Sequence, residues 1–182
     1  MNTKFIELPE GYKQRMRILH AVNAPIKTLT VSDICAACSI SRQTFYKYFD
    51  SKYDISYWYV YYCDSVTLTE IGRSLTWHDG VLGFFTLLRR EQTFFSFSVE
   101  NGLPDHNLQP ANIHRQDILT ETLRDYRHIQ ITAELTFYIR TFADLFDRSI
   151  QSWFSSGMKL TPEEFAAYIT NCVPKPLYEA LS

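Results

Sequence analysis

Apolar positions recur along this chain at spacings of three and four, and no stretch alternates as a half-buried strand would. Met16, Leu19 and Val22 share a face and predict a first helix over about Tyr12–Val22. Asn23-Ala24-Pro25 ends it, because the residue before a proline resists helical angles. A second, short helix starts at Thr30. There Thr30-Val31-Ser32-Asp33 has the form of a capping box, with Asp33 in place of the usual glutamate, and Ile34, Ala37 and Cys38 point inward. Ser39-Ile40 reads as a turn, and Ser41 caps a third helix, Arg42–Tyr48, anchored by Phe45 and Phe49. Asp50-Ser51 then caps a long fourth helix carrying Ile55, Trp58, Tyr59, Tyr62 and Val66.

Further helices are predicted over 80–100 and 112–131, with a loop marked by Asn101-Gly102-Leu103-Pro104 and Gln109-Pro110. The clearest amphipathic segment is 133–155. Leu135, Tyr138, Ile139, Phe142, Leu145, Phe146, Ile150, Trp153 and Phe154 keep helical period there, and Gly157 is a natural stop. Thr161-Pro162-Glu163-Glu164 supplies an N-cap, a proline at the first helical position and a capping glutamate. The helix that follows carries Phe165, Tyr168, Ile169 and Cys172 and ends before Pro174. None of the seven prolines lies between 26 and 103 or between 111 and 161, which leaves room for long helices. The expected class is all-α: a three-helix head over 1–53 and a larger helical body over 54–182.

Composition narrows the function. No run of 18 apolar residues occurs, so no membrane span is expected. The start, Met1-Asn2-Thr3-Lys4-Phe5, lacks a leader's apolar core, and a cytoplasmic location is expected. The four cysteines are too few for a disulfide scaffold. Cys35 and Cys38 form a C-x-x-C pair, but no second pair completes a zinc site, so packing inside a short helix is the simpler reading. His78, His106, His114 and His128 are scattered, and neither metal nor cofactor is expected. There is no Gly-rich phosphate loop, H-E-x-x-H or nucleophile triad pattern, so nothing favours an enzyme. The net charge of −2 conceals a division. Residues 1–53 carry eight basic and four acidic groups (+4), and residues 54–182 carry ten and sixteen (−6). A basic head on an acidic body attracts phosphate at one end only.

Two short helices joined by a tight turn and braced by a third make a helix-turn-helix. Ile34, Ala37, Ile40, Phe45 and Phe49 supply its small core. The exposed side of the third helix then presents Arg42, Gln43, Thr44, Tyr46, Lys47 and Tyr48. Arginine and glutamine can hydrogen-bond base edges, threonine can meet a thymine methyl, and lysine and tyrosine reach phosphates.

Val31 to Lys52, and above all the Ser-Arg-x-Thr-Phe-Tyr-x-x-Phe-x-Ser-Lys core at residues 41 to 52, resembles the signature of TetR-type regulators. The resemblance implies roles. Thr30 would meet a phosphate. Ser41 would cap the recognition helix at the DNA. Arg42, Gln43 and Thr44 would face bases, and Tyr46 and Tyr48 would lie on the backbone or groove edge. Lys52 would hold another phosphate. Family members often have Gly where this chain has Ser39, and a small residue where it has Gln43, which marks Gln43 as a specificity determinant.

For the body the resemblance implies a small apolar or aromatic effector between helices; by their position alone, Tyr62, Val66, Phe85, Leu88 and Phe142 are candidates for its lining. It also implies a homodimer formed through the last two helices, with Leu135, Tyr138, Phe142, Phe146, Trp153, Phe165 and Ile169 at the interface. The leading expectation is therefore a repressor on a near-palindromic duplex operator, released by a small molecule. The alternative is a coactivator whose body binds a partner protein. The pair Leu135–Phe154 and Phe165–Cys172, joined through Ser156-Gly157-Met158, resembles regulators of the dihydroxyacetone-kinase type.

Overall fold

The computed structural model describes residues 10–98 and 108–182, and among these every long element is a helix. The head comprises α1 (Tyr12–His20), α2 (Val31–Ala37) and α3 (Arg42–Phe45). The expected capping box is present. The Thr30 hydroxyl accepts from the Asp33 N–H at 3.1 Å, and the Asp33 carboxylate accepts from the Thr30 N–H at 2.8 Å. Ser41 likewise accepts from the Thr44 N–H at 3.0 Å. The third helix is a single turn, shorter than expected, because the chain turns at Tyr46–Tyr48 to seat Phe49 in the core. Between α2 and α3, Ser39 holds a left-handed φ of 52°, the conformation that glycine adopts without strain.

α4 (Asp54–Val66) buries Ile55, Tyr59, Val60 and Cys63, and a short 3₁₀ turn, Leu68–Glu70, follows it. Its start lies three residues beyond the expected cap, with the Ser51 N–H on the Asp54 carboxylate at 2.6 Å. The helix expected over 80–100 is two helices, α5 (Trp77–Arg90) and α6 (Gln92–Ser98), broken at Glu91. Neither proline nor glycine marks that break. Glu91 is buried there and its carboxylate lies 2.8 Å from His20 Nε2, so a tertiary contact overrides a continuous local pattern.

Asn101–Pro104 lies outside the described residues. Gln109 and Pro110, expected in a loop, instead belong to the first turn of α7 (Leu108–Glu121), where a missing proline N–H costs no helical bond. A π-helical segment, Thr122–Tyr126, ends that element short of the expected 131. α8 (Ala133–Ser155) matches its pattern, and Gly157 at φ 73° stops it. The Thr161 capping box opens α9 (Pro162–Asn171). A further helix, α10 (Lys175–Ala180), follows Pro174. Its Leu177 is buried, and the Tyr178 carbonyl accepts from Trp77 Nε1–H at 3.3 Å.

One cluster of buried apolar residues runs from Ile18 in the head to Leu181 at the end of the body. α5 packs along α9, α7 along α8, and α10 against α8, while α4 touches α1, α5 and α7. Inside this body sits a buried polar knot. Arg115 of α7 donates from Nε to Asp64 of α4 at 3.1 Å and from a terminal nitrogen to Asp147 of α8. Asn112 donates to Asp147 at 2.8 Å and to Asp144 at 3.0 Å. No helix of the described residues is long and apolar enough to cross a membrane.

Candidate nucleic-acid interface

α3 is short, so its orientation depends on what holds its two ends. Ser41 caps the start. At the other end the Arg15 guanidinium of α1 donates to the Tyr48 carbonyl at 2.7 Å. It lies 5.7, 5.1 and 5.6 Å from the ring centres of Tyr48, Phe49 and Trp58. A cation that satisfies a carbonyl of the turn after the helix and lies among three rings fixes that turn by charge and by packing. Arg15 was not singled out from the sequence, since a lone arginine on α1 carries no local signal of a partner 33 residues away. Beneath α3, Ile34, Phe45 and Phe49 are buried.

On the open side, Arg42, Gln43, Tyr46 and Lys47 are exposed and Thr44 is half-buried. Among the described residues neither Arg42 nor Lys47 has a carboxylate partner, so both cations remain available. Thr30 and Ser41 are exposed at the starts of α2 and α3. Two expected contacts stand differently. The Lys52 ammonium donates to the Leu29 carbonyl at 2.6 Å and the Lys27 carbonyl at 3.2 Å, which ties the start of α4 to the loop before α2. Tyr48 packs against α1, and a Cβ on Gly11 would come within 2.7 Å of its ring. Both residues therefore brace the head as well as border its open side.

Cys35 and Cys38 belong to the head's core at 4% and 5% exposure, and Cys38 donates to the Ile34 carbonyl at 3.1 Å. Burial pushes both thiols up, away from the reactive thiolate. Asp33, held by Thr30 hydrogen bonds, is lowered below the usual carboxylate range. It stays ionised at the start of α2, where a helix N-terminus favours negative charge.

The residues expected to line an effector site lie on α4, α5 and α8. Phe85, Leu88 and Phe142 are buried, and Phe85 meets Phe84, Phe146, Trp153 and Phe165 with ring centres 4.8–5.5 Å apart. Tyr62 lies 4.8 Å from the Tyr12 ring, and Val66 is half-buried at the end of α4. The stripe expected to pair two subunits turns inward instead. Leu135, Phe142, Phe146, Trp153 and Ile169 are buried within the chain itself. Phe165 stacks on Trp153 at 5.5 Å, and Tyr138 is half-buried. An amphipathic stripe shows that a face is covered, not whether its own chain or another covers it. On the outer side, Phe137 and Tyr168 are 63% and 57% exposed.

Residues 24–55 match the family model described as bacterial regulatory proteins, tetR family. Those residues are a TetR-type helix-turn-helix. Heads of this type are the DNA-binding part of transcription regulators. No curated protein matches the chain in sequence. Among solved structures, a protein named dihydroxyacetone kinase operon activator DhaS superposes with a TM-score of 0.60 at 19% identity, over 92% of this chain and 98% of that one. At that identity the likeness is one of fold: a TetR-type head followed by a helical body.

Proposed function

We propose that this chain is a homodimeric transcription regulator in which residues 1–53 read duplex DNA and residues 54–182 pair the subunits and receive the signal. The observation that carries this reading is the presentation of Arg42, Gln43 and Thr44 on a one-turn helix capped by Ser41, with Lys47 on the turn that follows it and Arg15 clamping that turn at Tyr48. Arg42 and Gln43 read bases in the major groove, Thr44 meets a methyl edge, and Thr30, Tyr46 and Lys47 hold phosphates. Ser41, Tyr48 and Lys52 keep the helix at its angle while bordering the backbone. Two such heads enter successive major grooves about 34 Å apart, so the operator is near-palindromic. The outward residues of α8 and α9, Phe137 and Tyr168, are better placed for pairing than the buried stripe.

The test is a binding-site selection from random duplexes, followed by Arg42→Ala and Lys47→Ala. Loss of Arg42 relaxes preference at one or two base pairs. Loss of Lys47 weakens all duplexes alike and lowers the salt slope by about one. Unchanged binding by both variants refutes the docking.

A coactivator working through a partner protein is favoured over release by a small effector. The ring packing around Phe85 supports it, because an effector there would have to displace side chains that already fill the space. The fold likeness to a protein named as an operon activator points the same way. A partner that co-purifies at fixed stoichiometry and raises operator occupancy is expected. Thermal stabilisation by a small aromatic compound with no partner would reverse the preference.

A further inference from the structure

A second surface of the head has its own chemistry. A groove of about 530 Å³ lies between α1 and the end of α2. Lys13, Arg17 and His20, at i, i+4 and i+7 of α1, line one wall, Met16 and Cys38 contribute apolar surface, and Ser39 closes the end. No carboxylate lines it. Lys13 and Arg17 are exposed, and among the described residues neither has an acidic partner. His20 is held at the rim by Glu91 of the α5–α6 corner.

We propose that this groove is a docking site for an acidic, amphipathic segment of a partner protein, occupied while the head is on DNA. Two arguments select this occupant over the phosphate backbone. First, phosphates call for cations and N–H donors, whereas Met16 and Cys38 provide an apolar floor that only a side chain can use. Second, the groove lies at the carboxyl end of α2, while Thr30, the phosphate-facing cap, is at its amino end. Seven helical residues separate the two ends by about 9 Å. A peptide with carboxylates along one side and a leucine or phenylalanine on the other satisfies both the cations and the floor. This rests on the proposed function only in assigning the DNA to the surface that Thr30 and α3 present.

The test uses fluorescence anisotropy of a short labelled peptide with Glu on one helical face and Leu and Phe on the other. Its Gln-for-Glu counterpart and a duplex recovered by selection are measured in parallel. The acidic peptide is expected to bind the free and the duplex-bound protein with equal affinity, and the Gln peptide about tenfold more weakly. Lys13→Glu/Arg17→Glu should lose the acidic peptide while keeping its melting temperature and its duplex affinity to within a few-fold. Lys13→Gln/Arg17→Gln should fall between. Equal peptide binding by the charge-reversed variant overturns the proposal, as does expulsion of the peptide by duplex. A salt slope for duplex binding lower by about two in the Gln variant would instead make the groove a DNA surface. If the protein binds no duplex at all, the DNA-reading assignment fails while the free-protein peptide arm still decides the groove.

Discussion

Arg115 is the residue whose removal the structure predicts to be most damaging outside the apolar core. Its side chain is 2% exposed and lies between the carboxylates of Asp64 and Asp147, exposed at 0% and 8%. The rings of Phe84 and Phe146 sit 5.5 and 5.3 Å from the guanidinium carbon. Arg115→Met keeps much of the volume and removes the charge, so two carboxylates are left in a site with no cation. Breaking a buried pair in this way costs about 3–5 kcal/mol. With a urea m-value of about 2 kcal/mol per molar, that is a midpoint lower by roughly 2 M at neutral pH. The loss should shrink in acid. Burial pushes Asp64 up to about 7 and raises Asp147 as well, with Arg115 opposing; without Arg115 both rise further and take up protons sooner. The control is Arg115→Met/Asp64→Leu/Asp147→Leu, in which no charge remains; it should recover most of the loss, since an apolar replacement of a buried ion cluster is often neutral. A single variant that costs less than about 1 kcal/mol, or a triple variant as unstable as the single, would refute the electrostatic account.

Asp64→Asn tests the same site from the other side. The folded-state pKa of Asp64 lies above its unfolded value, so the folded chain holds this proton more tightly, and wild-type stability falls as pH rises from about 4 to about 7. Melting curves across that range should show the variant gaining on wild type with rising pH. Ser39→Gly relieves a left-handed φ of 52° and should raise stability in urea by about 0.5–1 kcal/mol, read at unchanged m. Gly80→Ala places a Cβ 2.4 Å from Ile71 Cγ1 and should cost about 1–3 kcal/mol in the same assay.

The head was legible because its signals are local. The Thr30–Asp33 box, the Ser41 cap and the positive φ at Ser39 all act within four residues, and each falls where the sequence places it. The body was less legible wherever the deciding partner is distant. The break at Glu91 depends on His20, 71 residues away. α10 is built on Leu177 and on the Trp77–Tyr178 contact, 101 residues apart, which the prolines at 174 and 176 conceal. The stripe from Leu135 to Trp153 was correctly apolar, but periodicity cannot identify what covers it; Phe85 and Phe165 do so from the same chain. Arg15 and Arg115, the two cations that organise the head and the body, look in sequence like any other arginine.

Under the proposed function, their positions bear on how a signal in the body reaches the DNA. α4 is anchored at three points. Lys52, just before it, holds the loop carbonyls of Lys27 and Leu29; Tyr59 donates to the Leu87 carbonyl at 3.1 Å; Asp64 is locked to Arg115. A second tie runs from the head to the α5–α6 corner through His20–Glu91 and through the Ile26 N–H to the Phe97 carbonyl at 2.9 Å. Two ties at separate places define an orientation, whereas one defines a pivot. They differ in strength. Separating Asp64 from Arg115 strands charges on both sides of a buried cluster, whereas opening the second pair returns His20, 58% exposed, to water and leaves the Glu91 carboxylate alone, 10% exposed, without its partner. The lowest-cost change in head spacing therefore keeps α4 fixed to the body and opens the contact at Glu91, turning the head about α4. That motion passes beside the α1 groove, whose rim is formed by His20 itself, so a segment bound there shares a residue with the weaker of the two ties.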